Sequence, residues 1–404
     1  MKKLRILACP ANEGGCAYYR VIGPAKKLME LYPEKVEIRF NKNPLGIVES
    51  GENIGKWQPD WDFEDMKWAD IVWINNISNF GGPYTLRVVG KAKEMGKFVH
   101  YDTDDLLTDL YEEHRLYKVY KDKNLTDITR ECYRVADLVT VTQHKFAERI
   151  KDYCGGVLAI VKNSIDYNLK CWNVPKAATP KGSPLRIGWA GGIHHEADIK
   201  QFASVPGFVN SRVGNEKVHW GFFGAPPAPR EGEKESWQHD VWHSYKRILL
   251  SGFKGTKNWN IFTALPPDAY GGLYSIMDLS IAPLKMNNFN DSKSEIKVAE
   301  CGRYKVPLIA SNVGCYSETI ENGKTGYLID PDAPKSEWVK VLSKCIRSPK
   351  HVYEMGENLH AVTEQYFNIN TVAGYRLELY EQAISMVMSR NPENITYNKD
   401  WTYE

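Results

Sequence analysis

The stretch that decides the fold is Asp291–Ser311, DSKSEIKVAECGRYKVPLIAS. Its first part has helical spacing, and the apolar run Val306–Ala310 predicts a buried strand directly after that helix. Lys293, Lys297 and Glu300 recur at helical intervals, so we expect their side chains on one helix face. Two ammonium groups can bind a diphosphate, and a carboxylate can accept hydrogen bonds from the hydroxyls of a ribose. A solvated charged face on an amphipathic helix is the alternative that the spacing leaves open.

Strands and helices alternate along the chain, which is typical of parallel βαβ units. Each half opens with a buried strand, Leu4–Cys9 or Leu185–Ala190, that leads into a Gly-Gly turn. We therefore expect an α/β fold with two tandem Rossmann-like, doubly wound parallel-sheet domains and an interdomain cleft. Val174–Pro184 is the predicted linker because it is rich in Pro, Lys and small residues. The expected divisions are a first domain over 1–175, a second over 176–368, and a closing helix with a tail over 369–404.

The composition is that of an ordinary globular protein, with 43% apolar and 25% charged residues among 404. Lys and Arg number 52 against 50 for Asp and Glu, so strong non-specific binding of nucleic acid by the whole chain is not expected. The 8 cysteines form no C-x-x-C pair, and no apolar run approaches the length of a membrane-spanning helix. We therefore expect a reduced, cytoplasmic protein without a structural metal and without stable membrane insertion.

The first glycine turn lies in Asn12–Arg20, NEGGCAYYR. Glycines allow backbone N–H groups to approach an anion closely, so Gly14 and Gly15 are candidate ligand contacts. Arg20 could reach the same ligand. The dinucleotide pattern G-x-G-x-x-G is absent from this turn, and a tight strand-to-helix turn without a ligand is the alternative.

The second glycine turn lies in Trp189–Asp198, WAGGIHHEAD. Gly191 and Gly192 are candidate contacts for an anion, and His195 is a candidate catalytic residue. Adjacent histidines on an extended segment point apart, so no metal site is expected here. The acidic residues that open the following helix are ordinary complements of the helix dipole.

A cluster of carboxylates, Tyr101–Asp105 with the sequence YDTDD, lies at the end of the predicted strand Phe98–Asp102. These carboxylates could bind magnesium or cap the following helix. Asp102 is the carboxylate nearest the strand end, and we expect it to contact a hydroxyl of a sugar or of an acceptor.

Together these pieces resemble the nucleotide-sugar glycosyltransferases of the GT-B architecture, on the retaining, glycogen-synthase-like side of group 1. The specific part is the order of a glutamate-bearing helix, a strand and a G-x-x-G-x-L hairpin, here GKTGYL. The pattern K-S-x-x-K-x-x-E, formed by Lys293, Ser294, Lys297 and Glu300, is similar to that of a branch found among phage and bacterial enzymes. Ser294 is therefore a candidate donor contact. Further matching pieces are VHYDTDDLL, ADLVTVT, IVKNSID and MDLSIAPL.

The resemblance implies that a nucleotide-diphosphate sugar, the donor substrate, binds to the C-terminal domain while the N-terminal domain offers the acceptor. Glu300 matches the family's ribose ligand. Lys293, Lys297 and the backbone at Gly15 and Gly192 would neutralise the leaving diphosphate, so no metal or other cofactor is required.

Two positions depart from the family's pattern. Ser292 stands where the family has the first of two glutamates, and Asp102 stands where it often has histidine. The loss at Ser292 keeps open a non-catalytic nucleotide-sugar-binding protein, and a sugar-nucleotide epimerase-like enzyme of the same architecture is the other alternative.

The leading prediction is a retaining glycosyltransferase that moves a hexose or pentose to an acceptor hydroxyl. Its phage-like character suggests a hydroxymethylated base in phage DNA as the acceptor, and the host cytoplasm as the location if a phage encodes it. The aromatic and basic segment Trp237–Lys246 is the predicted contact for a flipped base.

Overall fold

The computed structural model of the chain describes residues 3–48, 52, 56, 58, 61–75, 83–253, 255 and 257–388. The chain forms two compact units. The first unit comprises Met1–Asp166, Ser292–Ser294 and Tyr366–Glu404, and the second comprises Tyr167–Asp291 and Glu295–Gln365. Residues 389–404 of the predicted tail lie outside the described residues.

The sheet of the first unit consists of six parallel strands: β1 Leu4–Cys9, β2 Val36–Phe40, β3 Ile71–Asn75, β4 Phe98–Asp102, β5 Leu138–Val141 and β6 Val157–Ile160. Their spatial order is β2-β1-β3-β4-β5-β6. β3 and β5 are buried along their whole length, as expected for parallel strands covered on both faces. The chain adds β2 on one side of β1 and then β3 on the other, so the strand order reverses beside β1.

Helices flank this sheet: α1 Gly15–Ala17, α2 Gly23–Leu31, α3 Glu64–Trp68, α4 Pro83–Glu94, α5 Tyr117–Asp122, α6 Leu125–Val135 and α7 His144–Ile150. A π-helical turn, Tyr18–Ile22, joins α1 to α2, and the N–H of Gly23 bonds to the carbonyl of Tyr18 in it. Helical backbone therefore begins at Gly15, directly within the first glycine turn. Single π-helical turns of this kind are frequent at functional sites.

The sheet of the second unit also has six parallel strands: β7 Leu185–Ala190, β8 Val218–Ala225, β9 Trp259–Thr263, β10 Leu279–Ala282, β11 Leu308–Ser311 and β12 Gly326–Ile329. Their spatial order is β12-β11-β10-β7-β8-β9. β8 and β9 extend the sheet on one side of β7, and β10 begins the other side, so the order reverses beside β7. The predicted α/β class with two doubly wound parallel sheets is confirmed.

The helices of the second unit are α8 Glu196–Gln201, α9 Val205–Val213, α10 Trp237–Leu249, α11 Pro267–Tyr270, α12 Asn288–Asp291, α13 Ile296–Arg303, α14 Tyr316–Thr319, α15 Lys335–Arg347 and α16 Pro349–Tyr366. Because α13 begins at Ile296, the prediction that Lys293 shares a helix face with Lys297 and Glu300 is wrong. Lys293 belongs to the short segment Ser292–Ser294 of the first unit, where its ammonium lies 3.8 Å from Asp105 and the amide of Asn163 donates to the hydroxyl of Ser294.

The last described helix, α17 Ile369–Met388, coincides with the predicted closing helix and belongs to the first unit. Its Val372 and Tyr380 are fully buried in one apolar cluster with Ile6 and Trp73 of the sheet. The helix therefore completes the core on one face of that sheet. It is not a separate division of the chain.

The predicted linker Val174–Pro184 contains no helix or strand, yet it is bonded to the second unit. The N–H of Ala177 donates to the carbonyl of Ser275 at 2.8 Å. The Thr179 hydroxyl donates to the Asp278 carboxylate at 2.8 Å. The second unit accordingly begins at Tyr167 instead of at residue 176.

Within the described ranges, the search for a helix with the length and apolar character needed to cross a membrane found none.

Candidate active site

Each glycine turn stands where the strand order of its sheet reverses. In the first unit Gly14 and Gly15 follow β1, which lies between β2 and β3. In the second unit Gly191 and Gly192 follow β7, which lies between β8 and β10. Doubly wound sheets bind ligands at this point, because the loops that leave the carboxyl ends of the two neighbouring strands diverge there.

Gly15 and Gly192 both face open space. A Cβ atom built on either residue would meet no neighbouring atom within 4 Å, so packing does not require glycine at either place. The approach of a ligand to the backbone N–H groups is a sufficient reason for glycine there. Gly191 differs, because its Cβ would lie 2.4 Å from the ring of Trp189. The N–H of Gly14 is already bonded to the side chain of the second residue before it.

His195 lies directly before α8 and is paired with a buried carboxylate in the first turn of that helix. Its Nδ1 is 2.8 Å from Oδ2 of Asp198, whose side chain is only 1% exposed. The other oxygen of Asp198 accepts the N–H of Lys285 and the side-chain amide of Asn290, both at 2.9 Å. A carboxylate at Nδ1 fixes the imidazole and, in the neutral ring, leaves Nε2 as the proton acceptor.

Lys297 and Glu300 form a cluster with two tyrosines in the second unit. The hydroxyl of Tyr274 donates to Oε2 of Glu300 at 2.6 Å. The ammonium of Lys297 lies 3.2 Å from the same oxygen, and 3.1 and 3.4 Å from the hydroxyls of Tyr274 and Tyr270. The structure therefore brings together two of the predicted donor contacts and adds two aromatic hydroxyls that the sequence did not indicate.

The charge state of this cluster follows from its burial and its pairing. The side chain of Glu300 is 3% exposed and that of Lys297 is 17% exposed. Burial is the largest single effect and lowers the pKa of the Lys297 ammonium, but the charge of Glu300 and the neighbouring tyrosine and thiol groups together outweigh it, and the pKa stands above its ordinary value. Lys297 is therefore a fixed positive charge at neutral pH.

Asp102 is enclosed in the core of the first unit, with none of its side chain exposed. Arg20 donates to one carboxylate oxygen at 2.7 Å, and Arg376 and Trp73 donate to the other at 2.9 and 3.2 Å. Burial raises the pKa of this carboxyl, but the two guanidinium charges outweigh burial and hold the pKa below its ordinary value. We expected Asp102 to contact a substrate hydroxyl; its placement instead makes it the anion of a buried ion cluster.

Arg20, which we expected to reach a ligand, is likewise fully buried. Besides Asp102, its guanidinium donates to the carbonyl of Val161 and to Oδ1 of Asn163. The amide of Asn163 in turn donates to the hydroxyl of Ser294 at 2.9 Å. Asp102, Arg20 and Ser294 are thus joined through Asn163 in one hydrogen-bonded chain inside the first unit.

A thiol and two carboxylates form a cluster in the segments that follow β1 and β4 of the first unit. Cys16, Asp104 and Asp105 each offer one ligand atom, and these atoms lie within 4.8 Å of one another. The ammonium of Lys293 is 3.8 Å from Asp105. Burial, followed by the charge of Asp105, raises the pKa of Asp104 to about 6. Such donors can hold a divalent cation, but Lys293 already supplies positive charge here, and the expected absence of a metal stays a prediction.

Comparisons of sequence give short matches. No protein-family model matches the chain. A stretch of 134 residues, 32% of this chain, is 31% identical to the D-inositol 3-phosphate glycosyltransferase of Gordonia bronchialis and covers 28% of that enzyme. The match therefore spans less than a third of the length of the curated relative.

Comparisons of structure extend over nearly the whole chain. The sucrose-phosphate synthase of Thermosynechococcus elongatus superposes with a TM-score of 0.65 at 12% identity, over 95% of this chain and 100% of that one. Anabaena HepE, solved in complex with UDP-glucose, superposes with a TM-score of 0.60 at 13% identity, over 96% and 100%.

The chain therefore has the GT-B fold, with two doubly wound α/β units in tandem. The stretch of sequence shared with a curated glycosyltransferase agrees with that fold, and the predicted resemblance to the group 1 GT-B glycosyltransferases is confirmed. The phage- or bacterial-type branch stays a prediction.

Proposed function

We propose that this chain is a glycosyltransferase that moves a sugar from a nucleotide-diphosphate sugar to an acceptor hydroxyl. The observation that carries the proposal is the Lys297–Glu300 pair on α13. This helix follows β10, which lies directly beside β7 where the strand order reverses. The fold shared with HepE, whose structure contains UDP-glucose, supports a UDP-sugar as the donor.

Donor binding is proposed for the second unit. Glu300 accepts hydrogen bonds from the ribose hydroxyls, while Lys297 and the N–H of Gly192 bind the diphosphate. Lys297 is suited to this role because it is held as a cation by Glu300 and two tyrosine hydroxyls. The open space beside Gly192 leaves room for a phosphate oxygen.

The transfer step needs stabilisation of the leaving diphosphate. The bond between the anomeric carbon and the diphosphate oxygen breaks, a bond from that carbon to the acceptor oxygen forms, and the acceptor proton passes to the diphosphate. We propose that His195, oriented by Asp198, contacts the donor beside the breaking bond. Retention of configuration is part of the proposal and is supported by the family resemblance; NMR of the product would establish it.

A hydroxymethylated base in DNA is the proposed acceptor. The support is Trp237 at the start of α10, which is 54% exposed and could stack on an extruded base. The test is sugar transfer to duplex DNA with hydroxymethylated bases, compared with unmodified DNA of the same sequence. Transfer to small sugar alcohols but to neither DNA would contradict this acceptor and would leave the glycosyltransferase proposal standing.

The donor site is tested by ligand binding to a variant at Glu300. We expect UDP and UDP-sugars to raise the melting temperature of the wild-type protein, because they bind the folded state. Glu300→Gln should weaken UDP binding by about 10- to 100-fold, as expected for the loss of a charged hydrogen-bond acceptor. Glu337→Gln is the control, because that carboxylate is exposed on α15 and pairs only locally with Lys340. Equal UDP affinity in both variants would refute the donor site.

One observation favours a second candidate, a nucleotide-sugar-binding protein without turnover. Ser292 stands where the family has its first glutamate; its side chain is fully buried, and its hydroxyl has no hydrogen-bond partner among the described residues. Donor binding without transfer or slow hydrolysis, over a broad acceptor panel, would support this candidate. Conversion of the sugar nucleotide without any acceptor would instead indicate an epimerase-like enzyme.

A further inference from the structure

A cavity of about 630 Å³ lies at the amino-terminal edge of the sheet in the second unit. Its walls come from the start of β7, the end of α15, the start of α16 and the predicted linker segment. All strands of this sheet are parallel, so their carboxyl ends, where the proposed donor site lies, form the opposite edge. The cavity is therefore separate from the donor site.

The lining of this cavity carries positive charge. Lys181, Lys217 and Arg347 line it and are exposed, and no acidic residue is among the described residues that line it. Neither lysine ammonium forms an ion pair or hydrogen bond with another part of the chain that the structure describes. Arg347 donates one hydrogen bond to the carbonyl of Arg212 at 3.2 Å, which fixes the guanidinium at the rim. Three cations without a counter-charge favour an anionic ligand.

Asp278, which is bonded to the lining residue Thr179, does not neutralise the positive charge of the cavity. Thr179 in the wall donates to Asp278, but Arg186 already neutralises that carboxylate with bonds of 2.9 and 2.8 Å. The same bonds anchor the segment that carries Lys181. Lys181 is therefore carried by a segment that is hydrogen-bonded to the second unit, and the bonded carboxylate leaves the charge of the three cations uncompensated.

The remaining lining is suited to the carbon body of a small molecule. Leu185, Val213 and Ile346 supply apolar surface, and Tyr353 supplies an aromatic ring with a hydroxyl. The first residue of α16, Pro349, also lines the cavity, so the amino end of an 18-residue helix adds its partial positive charge. The volume lies within the range of about 300–1,000 Å³ that is usual for ligand pockets.

We propose that this cavity binds a soluble phosphorylated small molecule of the size of a sugar phosphate. Its phosphate contacts Lys181, Lys217 and Arg347, and its carbon body packs on the apolar wall. The ligand occupies a site other than that of the donor, so the proposal holds whether or not the protein transfers a sugar.

The experiment is calorimetric titration of the full-length protein with fructose 1,6-bisphosphate, in the presence of saturating UDP so that the donor site is filled. Wild type is compared with Lys181→Gln/Lys217→Gln/Arg347→Gln. The control, Lys324→Gln/Lys335→Gln/Lys340→Gln, removes the same charge from exposed side chains elsewhere in the second unit. Parallel titrations use fructose, inorganic phosphate, and phosphatidylcholine vesicles with phosphatidic acid.

We expect the wild type and the control to bind the bisphosphate equally, and the cavity variant to bind it about tenfold more weakly or not at all. Fructose should not bind, inorganic phosphate should bind more weakly than the bisphosphate, and added salt should weaken binding. Equal affinity in the cavity variant, no binding of the bisphosphate by wild type, or binding to the vesicles alone would each overturn the proposal.

Discussion

Single side chains in the first unit show how burial changes the chemistry of a carboxylate. Asp102 is ionised because two guanidinium groups surround it and lower its pKa. The pKa of Asp104, two residues later, is instead raised by burial and by a neighbouring carboxylate. The sequence YDTDD gives no sign of this difference, because one cation of Asp102 comes from Arg376, 274 residues further along the chain. Candidate residues in this stretch could be predicted, but their division into core and ligand-accessible groups could not.

The pKa of Asp104 makes stability depend on pH. The pKa of Asp104 is about 6 in the folded state, against an ordinary value of 3.8, so the folded state binds the proton more tightly than the unfolded chain. Ionisation therefore costs stability as the pH rises from about 4 through 6, by up to about 3 kcal/mol. We expect Asp104→Asn to gain melting temperature relative to wild type at pH 8 and to show little difference at pH 4. Thermal unfolding over this pH range measures the effect.

Asp332→Asn is the control for that series, because Asp332 is exposed on a loop of the second unit. It should follow the wild-type curve at every pH. Parallel curves for wild type and Asp104→Asn would show that Asp104 does not titrate with a raised pKa.

The His195–Asp198 pair predicts a separation of kinetic constants. Asp198→Asn keeps the size of the side chain but removes the charge that orients His195 at 2.8 Å. We expect kcat to fall by about 10- to 100-fold while KM for the donor changes little, because the effect is on the transition state. Glu196→Gln, on the same helix and more exposed, should leave both constants near wild type. A rise in KM alone would assign Asp198 to donor binding.

This pair could have been found in the sequence. The spacing of His195 and Asp198 is that of neighbours on a helical turn, and only the assumption that acidic residues merely complement the helix dipole hid it. Lys297 and Glu300 were found for the same reason, since they have this spacing within one helix.

At the scale of elements, local pattern predicted strands β1, β4 and β7 with their observed bounds but not where α13 begins. The run SKSEIKVAE continues the helical period through Lys293, yet the helix starts only at Ile296, and Ser292–Ser294 before it belong to the first unit, where Asn163 bonds to Ser294. The helical period of the sequence indicates which residues can be helical. Which of them form the helix depends also on contacts with residues far away in the chain. The same limit applies to Val174–Pro184, whose composition predicted a linker although its residues are hydrogen-bonded to the second unit.

Helix α17 is attached to the first unit by a buried charge as well as by apolar contacts. Arg376 on this helix donates to Asp102 at 2.9 Å and lies 4.5 Å from the ring centre of Trp73. Removing one member of a buried ion cluster leaves the others uncompensated, so we expect Arg376→Met to lower the free energy of unfolding by about 3–5 kcal/mol. Chemical denaturation measures the change.

A control on the same helix is Glu381→Gln, which breaks an exposed pair with Lys35 at 3.8 Å. It should cost less than about 1 kcal/mol. A double variant with Asp102→Asn should lose less than the sum of its single variants, because the two side chains share one interaction. Additive losses would show that Arg376 and Asp102 are not coupled.

At the scale of the whole molecule, the two units differ in how the chain builds them. The second unit is formed by one continuous stretch from Tyr167 to Gln365, apart from Ser292–Ser294. The first unit needs both ends of the chain, since α17 covers one face of its sheet. The sequence predicted two domains in chain order. It could not show that α17 packs back on the first unit, because the pattern of apolar residues in a helix does not indicate which surface the helix covers.

This difference predicts unequal behaviour of fragments. Residues 167–365 should unfold cooperatively when expressed alone, because they contain the whole of the second unit and, besides it, only Ser292–Ser294. Residues 1–166 should not, because they lack the side chains of α17 that are buried with Ile6 and Trp73. Circular dichroism during thermal unfolding compares the two fragments. Cooperative unfolding of residues 1–166 would show that α17 is dispensable for the first unit.

The vacant surroundings of Gly15 and Gly192 have a practical consequence for redesign. A methyl group at either position touches nothing in the fold, so alanine there should leave folding intact while intruding on whatever docks against the main chain. These positions are therefore natural places for bump-and-hole engineering, in which a trimmed substrate analogue is matched to an enlarged residue and the unmodified metabolite is shut out.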